Sequence, residues 1–479
     1  MTKVPVLPFA FCAVFAIAGA QATTWHVDAS VLSSGDGGSW GTALKTIQEG
    51  IDAASDRDTV VVAEGVYVEN IKFRGKNIVL RSTDRLNPET VAATVIHAKW
   101  SDSVVQFQGT EDESCVLSGF TIRNGQGRYG GGIRGGNWLK EDGSRAIIEN
   151  NVVAGNDAFE GGGILQCHGT IRNNVIVQNS TSGWGGGLLE CNGTVENNVI
   201  SGNTAESGGG LCGCYGTIKS NLIQNNSALR WGGGLAGCGG TVQDNLILRN
   251  SATGPSAQGG GLAFCHGTVQ NNTITGNRAT FYGGGLYECT GTVRNCILWA
   301  NTARTGPQFD ESSIPTYSCI QGWAGDSKKY RNIPEDPLFL DPDGPDNNPG
   351  THGGNDYRLA TASPCIDAGY NDPALPATDI AGMHRIMYGG NSLTVDMGAY
   401  EFHIWPPTEN SQSGEITLKW SSLAGKSYWV YHSGDMVSWD ILTGNVPSAG
   451  DTVTTWIDSM GPALPPGVRI RYYKVMENQ

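Results

Sequence analysis

The chain carries little charge, and what it carries leans one way. Of 479 residues only 16% are charged, with 31 Lys and Arg against 45 Asp and Glu, a formal net charge of −14. Such a surplus of carboxylates argues against a nucleic-acid partner or an anionic membrane surface, both of which attract basic patches. Long apolar runs are also missing. Beyond residue 22 no stretch is long enough to cross a bilayer as a helix. Sustained 3.6-residue periodicity is scarce, which excludes the helical solenoids, and no Cys and His set has zinc-ligand spacing. In their place stand 69 glycines, paired asparagines and short β-branched pieces.

These residues recur in one phrase. It reads GGGILQCHGTIRNN from Gly161 and GGGLLECNGTVENN from Gly185, and it returns four more times. Its cysteines are Cys167, Cys191, Cys214, Cys238, Cys265 and Cys289, at intervals of 24, 23, 24, 27 and 24. A fixed period in this range marks a solenoid, in which each unit buries its apolar edge against its neighbours. Val, Ile and Thr favour strands, whereas Gly and Asn punctuate turns. The unit is therefore one coil of short strands, stacked in parallel about 4.8 Å apart. The expected fold is all-β, a parallel β-helix.

Stacking turns aligned positions into columns. Ile171, Val195, Ile218, Val242, Val269 and Val293 form one apolar column, and Ile176, Ile200, Ile223, Ile247, Ile274 and Leu298 another. Asn173, Asn197, Asn245, Asn271 and Asn295 are expected to stack amides at a bend, interrupted by Ser220. The cysteines are expected to face inward as small apolar groups, at a spacing that also permits vertical disulfides.

Residues 1–22, with Lys3, an apolar run and the stretch Ala18 to Ala22, read as a secretory signal peptide. Phe11 before Cys12 does not suit a lipoprotein signal. Cleavage leaves eleven of the twelve cysteines, an odd number that favours buried thiols over a disulfide framework. The mature protein is thus expected outside the cell, secreted or at its surface. Residues 23–302 make the β-helix, with an amphipathic helix near Ala43–Ala54 capping its first coil. An irregular tail follows over 303–402, then a Pro-marked linker at 403–414. The alternating strands ITLKWSS, KSYWVYHS, TVTTWIDS and RIRYYKV predict a small β-sandwich over 415–479.

The opening WHVDAS…GDGGSWGTALKTIQEGID, the middle LSGFTIRNG and the GGGL/GTV coils resemble secreted right-handed parallel β-helix proteins of the pectate-lyase-like superfamily. The segment EDPLFLDPDGPDNNPG…NDYRLATASPCIDAG…TDIAGMHR…VDMGAYE resembles the tail called choice-of-anchor Q. The first resemblance implies the fold, its handedness and extracellular polysaccharide as the commonest ligand. It does not imply one reaction, because lyases, hydrolases, esterases, epimerases and inert adhesins share the scaffold.

Three groups of residues are candidates for function. The position before each Gly triplet gives Tyr129, Glu160, Trp184, Ser207, Trp231, Gln258 and Tyr282. Its aromatics alternate at about 9.6 Å, platforms for a sugar chain or covers for the glycine backbone. The turns at Glu160 and Ser207 are one residue shorter. A second column runs Arg123, Glu149, Arg172, Glu196 and Lys219, then Gln243, Gln270 and Arg294. Alternating charge makes a structural ladder the favoured explanation. In a uronate lyase Glu149 and Glu196 would bind Ca²⁺ with the substrate carboxylate, and Arg172 or Lys219 would abstract the α-proton. Third, Asp341, Asp343, Asp346 and Asn348 surround a glycine turn and suit a structural Ca²⁺ or an ion-free acidic turn, with Asp379 and Asp396 as further ligands or turn caps. Glu190 and Glu288, like His168 and His266, lie four coils apart, about 19 Å, too far for a glycosidase pair. The sequence thus predicts a polysaccharide-binding protein, with lyase chemistry preferred over hydrolysis if it cleaves, or else a non-catalytic surface scaffold.

Overall fold

Triplets such as Thr170-Ile171-Arg172, set between asparagines and glycines, leave room only for short strands, and short strands form. The computed structural model describes residues 22–402 apart from 138–142, 345–354, 374 and 386–393. Beyond 403 it describes the strands Ile404–Glu409, Ile416–Ser421, Ser427–Ser433, Asp440–Pro447, Val453–Asp458 and Tyr472–Glu477. The proposed signal peptide therefore lies almost wholly outside the described residues. From Thr24 to Ile320 the chain winds into a right-handed parallel β-helix of about eleven coils.

Each regular coil contributes to four sheets. The first contains Thr170–Arg172, the second Val175–Val177, the third Ser180–Thr181 and the fourth Leu188–Leu189. Both apolar columns keep register from coil to coil, in the first and second sheets respectively. All twelve side chains are at most 3% exposed. The six repeat cysteines are also buried, and the eleven described cysteines are free thiols. Burial pushes the Cys167 thiol well above its ordinary value, so it stays a neutral space-filler.

The asparagine column needs correction. Asn173, Asn197, Ser220, Asp244, Asn271 and Asn295 occupy the left-handed corner with φ between 51° and 56°, a conformation asparagine tolerates. Asn245 is not among them. It belongs to the next column, Asn151, Asn174, Asn198, Asn221, Asn245 and Asn272, and here the amides stack. Asn198 Oδ1 accepts from Asn174 N at 2.9 Å and Asn174 Nδ2 at 3.0 Å, while Asn198 Nδ2 donates onward to Asn221 Oδ1 at 3.0 Å. A second ladder at the opposite end of the second sheet runs Asn156, Asn179, Asn203, Asn226, Asn250, Asn277 and Asn301 with the same pattern. The buried amides of these two ladders are thus paired, and they pair the buried backbone at the corners.

The Gly triplet has its own cause. A Cβ on Gly186 would lie 2.5 Å from Gly209 O and 2.7 Å from Thr204 O, so the third sheet's backbone rests directly on the triplet. Only glycine permits that approach.

The N-terminal cap forms as expected. Helix Ile47–Ala53 begins in a Thr46–Glu49 capping box and buries Ile47 and Ile51 completely. At the other end the tail packs Tyr357 and Ala399 on Leu246 and Leu248 of the second sheet. Its anchor is Arg385, which is 1% exposed. Arg385 Nη2 donates to Asp244 at 2.6 Å and to Ala399 O at 2.9 Å, and its Nη1 lies 3.5 Å from Glu401. Asp244 is the one carboxylate in the left-handed column from Asn173 to Asn295, and it is where the tail attaches. Asp379 accepts from Ala381 N, Met383 N and Glu401 N, and Asp396 from Asp367 N and Phe402 N. Both therefore act as turn caps.

The segment expected as a linker contains the strand Ile404–Glu409, paired antiparallel with Ile416–Ser421. That strand and two others form one three-stranded sheet, and three more form a second, with Leu418 and Val430 fully buried in the two. Two antiparallel three-stranded sheets thus occupy the span where the sequence predicts a small β-sandwich.

Candidate functional site

The residues before the Gly triplets form a continuous column in the folded chain. Tyr129 pairs with Glu160, Trp184 with Ser207, Ser207 with Trp231, Trp231 with Gln258 and Gln258 with Tyr282. Glu160 and Trp184 are joined by Gly161 N to Trp184 O at 3.0 Å. The shorter turn at Ser207 is absorbed by a β-bulge after Ala205, which restores the register.

The glycine turn brings this column beside the outward positions of the fourth sheet, Leu189, Cys212, Ala236, Ala263 and Tyr287. Trp231 meets Phe264 edge-on at 5.6 Å, Phe264 meets Tyr287 at 5.6 Å, and Tyr282 stacks on Tyr287 at 5.8 Å. Trp184 stands 47% exposed at the other end, while Trp231 and Tyr282 are half-buried. Between Trp184 and Trp231 the surface narrows to Cys212 and Gly213, over the buried Ser207 and Ala236. The result is an aromatic-walled face with a small-residue waist, running along the solenoid axis.

Its charge is negative. Burial, with Glu190 and Glu206 nearby, holds the Glu160 carboxyl above the usual carboxylate range, although Trp184 N donates to it at 2.8 Å. Glu206 is paired with Arg230 at 2.9 Å. At the far end the Tyr287 phenol donates to Glu311 at 3.1 Å. Burial first, then Glu288 and Glu311, push that phenol up. Glu288 and Glu311 follow Tyr287 and Asp310, which are paired in adjacent coils, so this is a close carboxylate pair that the repeat spacing did not reveal. Glu311 escaped notice because its coil lacks the Gly triplet and the cysteine. Glu190 and Glu288 remain four coils apart, as expected.

The charged column differs from expectation in one member. Glu149 pairs with Ser118, whereas Arg123 lies in the second sheet opposite Ala154. The run of alternating charge is therefore Glu149, Arg172, Glu196 and Lys219. Arg172 Nε and Nη2 both donate to Glu149 Oε2, at 2.8 and 2.7 Å, and Arg85 reaches the other oxygen at 3.1 Å. Lys219 Nζ lies 3.0 Å from Glu196. Each candidate base is thus held by a candidate metal ligand, and the two carboxylates are separated by a whole intervening coil.

The remaining candidates are dispersed. His168 accepts from Asn192 N at 3.3 Å, and His266 Nδ1 contacts Thr290 Oγ1 at 2.9 Å. Asp341 belongs to a two-stranded hairpin with Asp356–Leu359, and Asp343 follows it in a turn. Asp346 and Asn348 lie outside the described residues. Among the described residues no three His, Cys, Asp or Glu side chains gather to hold a metal ion.

No family model matches the chain, its tail included, and no curated protein matches it. Among solved structures it is similar to pectate lyase Pel9A, at 13% identity and a TM-score of 0.49, covering 80% of this chain and 97% of that one. At 13% identity no residue's role passes from one chain to the other. No helix among the described residues is long and apolar enough to cross a membrane.

Proposed function

We propose that this chain binds an extended extracellular polysaccharide along the face walled by Trp184, Trp231 and Tyr282. One observation carries the reading: Trp184, Trp231 and Tyr282 stand on alternate coils of a single in-register column, about 9.6 Å apart, with small or polar residues between them. Rings at regular intervals along a straight axis suit the apolar faces of successive sugars, and the half-buried Gln258 between Trp231 and Tyr282 suits their hydroxyls.

The charge of the face favours a neutral glycan over a polyuronate, since Glu160, Glu190, Glu288 and Glu311 would repel carboxylated sugars. Proton abstraction by Arg172 or Lys219 is disfavoured by geometry, because each side chain is already engaged by a neighbouring carboxylate. Calcium remains a proposal for the loop around Asp341 and Asp343 alone.

The test is a panel of neutral and uronate polysaccharides, measured by affinity electrophoresis and by the ultraviolet absorbance of unsaturated uronates. A neutral glycan should be retained, and Trp231→Ala should weaken retention roughly tenfold. New absorbance from a polyuronate would replace this reading with lyase chemistry. Retention that Trp231→Ala and Trp184→Ala leave unchanged would remove the aromatic column from the argument.

A further inference from the structure

The tail is held to the solenoid along one row of the second sheet, Leu246, Thr273, Ile297 and Cys319, which stand in register on successive strands. Each of the first three takes a tail residue. Leu246 packs with Tyr357 and Ala399, and Thr273 Oγ1 accepts from Ala399 N at 3.1 Å. Ile297 Cδ1 approaches Gly398 so closely that a Cβ there would lie 2.7 Å away. The row ends at Cys319, and its neighbours show which way it points. Leu298 and Ile320 fill the solenoid core. Ile297 and Cys319 face the other way, into a second apolar cluster with Leu359, Cys365, Ile366, Met397 and Phe402 of the tail.

Cys319 and Cys365 are both fully buried, and their thiols are hydrogen-bonded to each other across this interface. Burial first, then the adjoining Cys319 thiol, push the Cys365 thiol well above its ordinary value. The backbone fixes Cys365 in place: its O accepts from Met397 N at 3.0 Å and its N donates to Ser363 Oγ at 3.2 Å. Ser363 Oγ donates in turn to Pro337 O at 2.6 Å. This pair differs from the cysteine column. In the column each thiol is copied with its coil, so neighbours meet because the coils are alike. A bond between rungs would join strands that backbone hydrogen bonds already hold. Beyond Cys296 the chain has only two cysteines, neither belongs to the repeat, and they meet.

We propose that Cys319 and Cys365 are a disulfide pair that fastens the tail covalently to the last coil of the solenoid. The oxidant is a disulfide-bearing small molecule or protein. One cysteine thiolate attacks a sulfur of that donor, which forms a mixed disulfide and releases one thiol. The second cysteine thiolate attacks the mixed disulfide at the first cysteine's sulfur, which closes the Sγ–Sγ bond and releases the second thiol. Two electrons pass to the donor, and the two cysteine protons end on its sulfurs. The thiolate is the reactive form and burial keeps Cys365 neutral, so the bond forms while the tail is open, and docking then shields it from reductants. Closing the loop from 319 to 365 restricts the unfolded tail and so stabilises the docked one. None of this depends on the binding of a glycan.

The experiment equilibrates the whole chain with mixtures of reduced and oxidised glutathione below its melting range, so that local opening of the tail admits the reagent. Samples are quenched in acid, alkylated in denaturant and mapped as peptides without reduction. The expected product is a linked Cys319–Cys365 peptide, two hydrogens lighter than its parts, with Cys167 through Cys289 alkylated as free thiols. The oxidised chain should melt several degrees above the dithiothreitol-reduced chain, and Cys365→Ala should abolish that difference. If Cys365→Ala does not fold, the peptide map of the unaltered chain decides alone. Full alkylation of both cysteines at every glutathione ratio would overturn the proposal. So would cross-links confined to the column cysteines, or a linked peptide whose reduction leaves hydrogen-exchange protection of Ala399 N unchanged.

Discussion

The regular coils and the tail solve the problem of buried polar groups in opposite ways. Between Ala146 and Asn301 the corners are satisfied by neutral amides, one rung per coil, each serving the coil before and leaning on the coil after. From Tyr357 to Phe402 almost nothing repeats, and buried charge does the work through Arg385, Asp244 and Glu401. A ladder spreads its stabilisation over many equal steps. A charged clasp concentrates it in one place, where losing a partner leaves an ion without water or counter-ion. Local failure should therefore be graded in the array and abrupt in the tail.

The largest expected effect is at the clasp. Arg385→Met should cost about 3–5 kcal/mol, because Asp244 and Glu401 would remain buried and uncompensated. Hydrogen exchange should show it as lost protection of Gly398 N and Ala399 N, which bond to Asn295 O and Thr273 Oγ1 of the solenoid. Equal protection loss in the first coils would show that the two regions are not separable.

Proton linkage comes next. Burial raises the Asp396 carboxyl from 3.8 to about 7. An acid whose folded pKa exceeds its unfolded value holds an extra proton only when folded. Its contribution is fully present below pH 3.8 and is lost as pH rises through about 7, on the order of 4 kcal/mol in all. Tail protection should decline across that window in the native chain and become flat in Asp396→Asn. A slope that survives the substitution would assign the titration to another carboxyl.

Within the array, Asn226→Ala should cost about 2–3 kcal/mol. It strips partners from Asn203 N, Ile200 O and Asn250 Oδ1. Protection of Gly398 N and Ala399 N in the tail should stay as in the native chain. Smallest of all, Arg172→Gln should cost less than about 1 kcal/mol, since the pair is half-exposed on the arginine side and Arg85 still serves Glu149. A larger loss, read in the thermal midpoint, would give the charged column a role beyond surface pairing.

The same contrast explains what could be read from the sequence. Cys167 to Cys289 displayed the period, and the period placed Ile171 and Ile176 with their partners, because a parallel stack repeats each local decision. The second asparagine ladder was equally legible, since Asn179, Asn203 and Asn226 each follow the first ladder by five residues. It is less conspicuous than the Asn pairs, and in those pairs two adjacent asparagines leave the stacking member ambiguous, as Asn245 shows. Arg385 and Asp244 were not legible, because a contact made once across 141 residues leaves no period. The aromatic column was visible as a pattern, but its completion at Ser207 depended on a bulge that only backbone geometry reveals.

The buried cysteines give this molecule its own ruler. Cys167, Cys191, Cys214, Cys238, Cys265 and Cys289 each mark one coil, and each is shut away from solvent. An alkylating reagent reaches such a thiol only after its coil has opened, and every coil that opens adds at least one tag to the mass of the chain, with Cys212 and Cys296 supplying extra ones. Counting tags against time, and locating them by peptide, would report from which end the stack unzips.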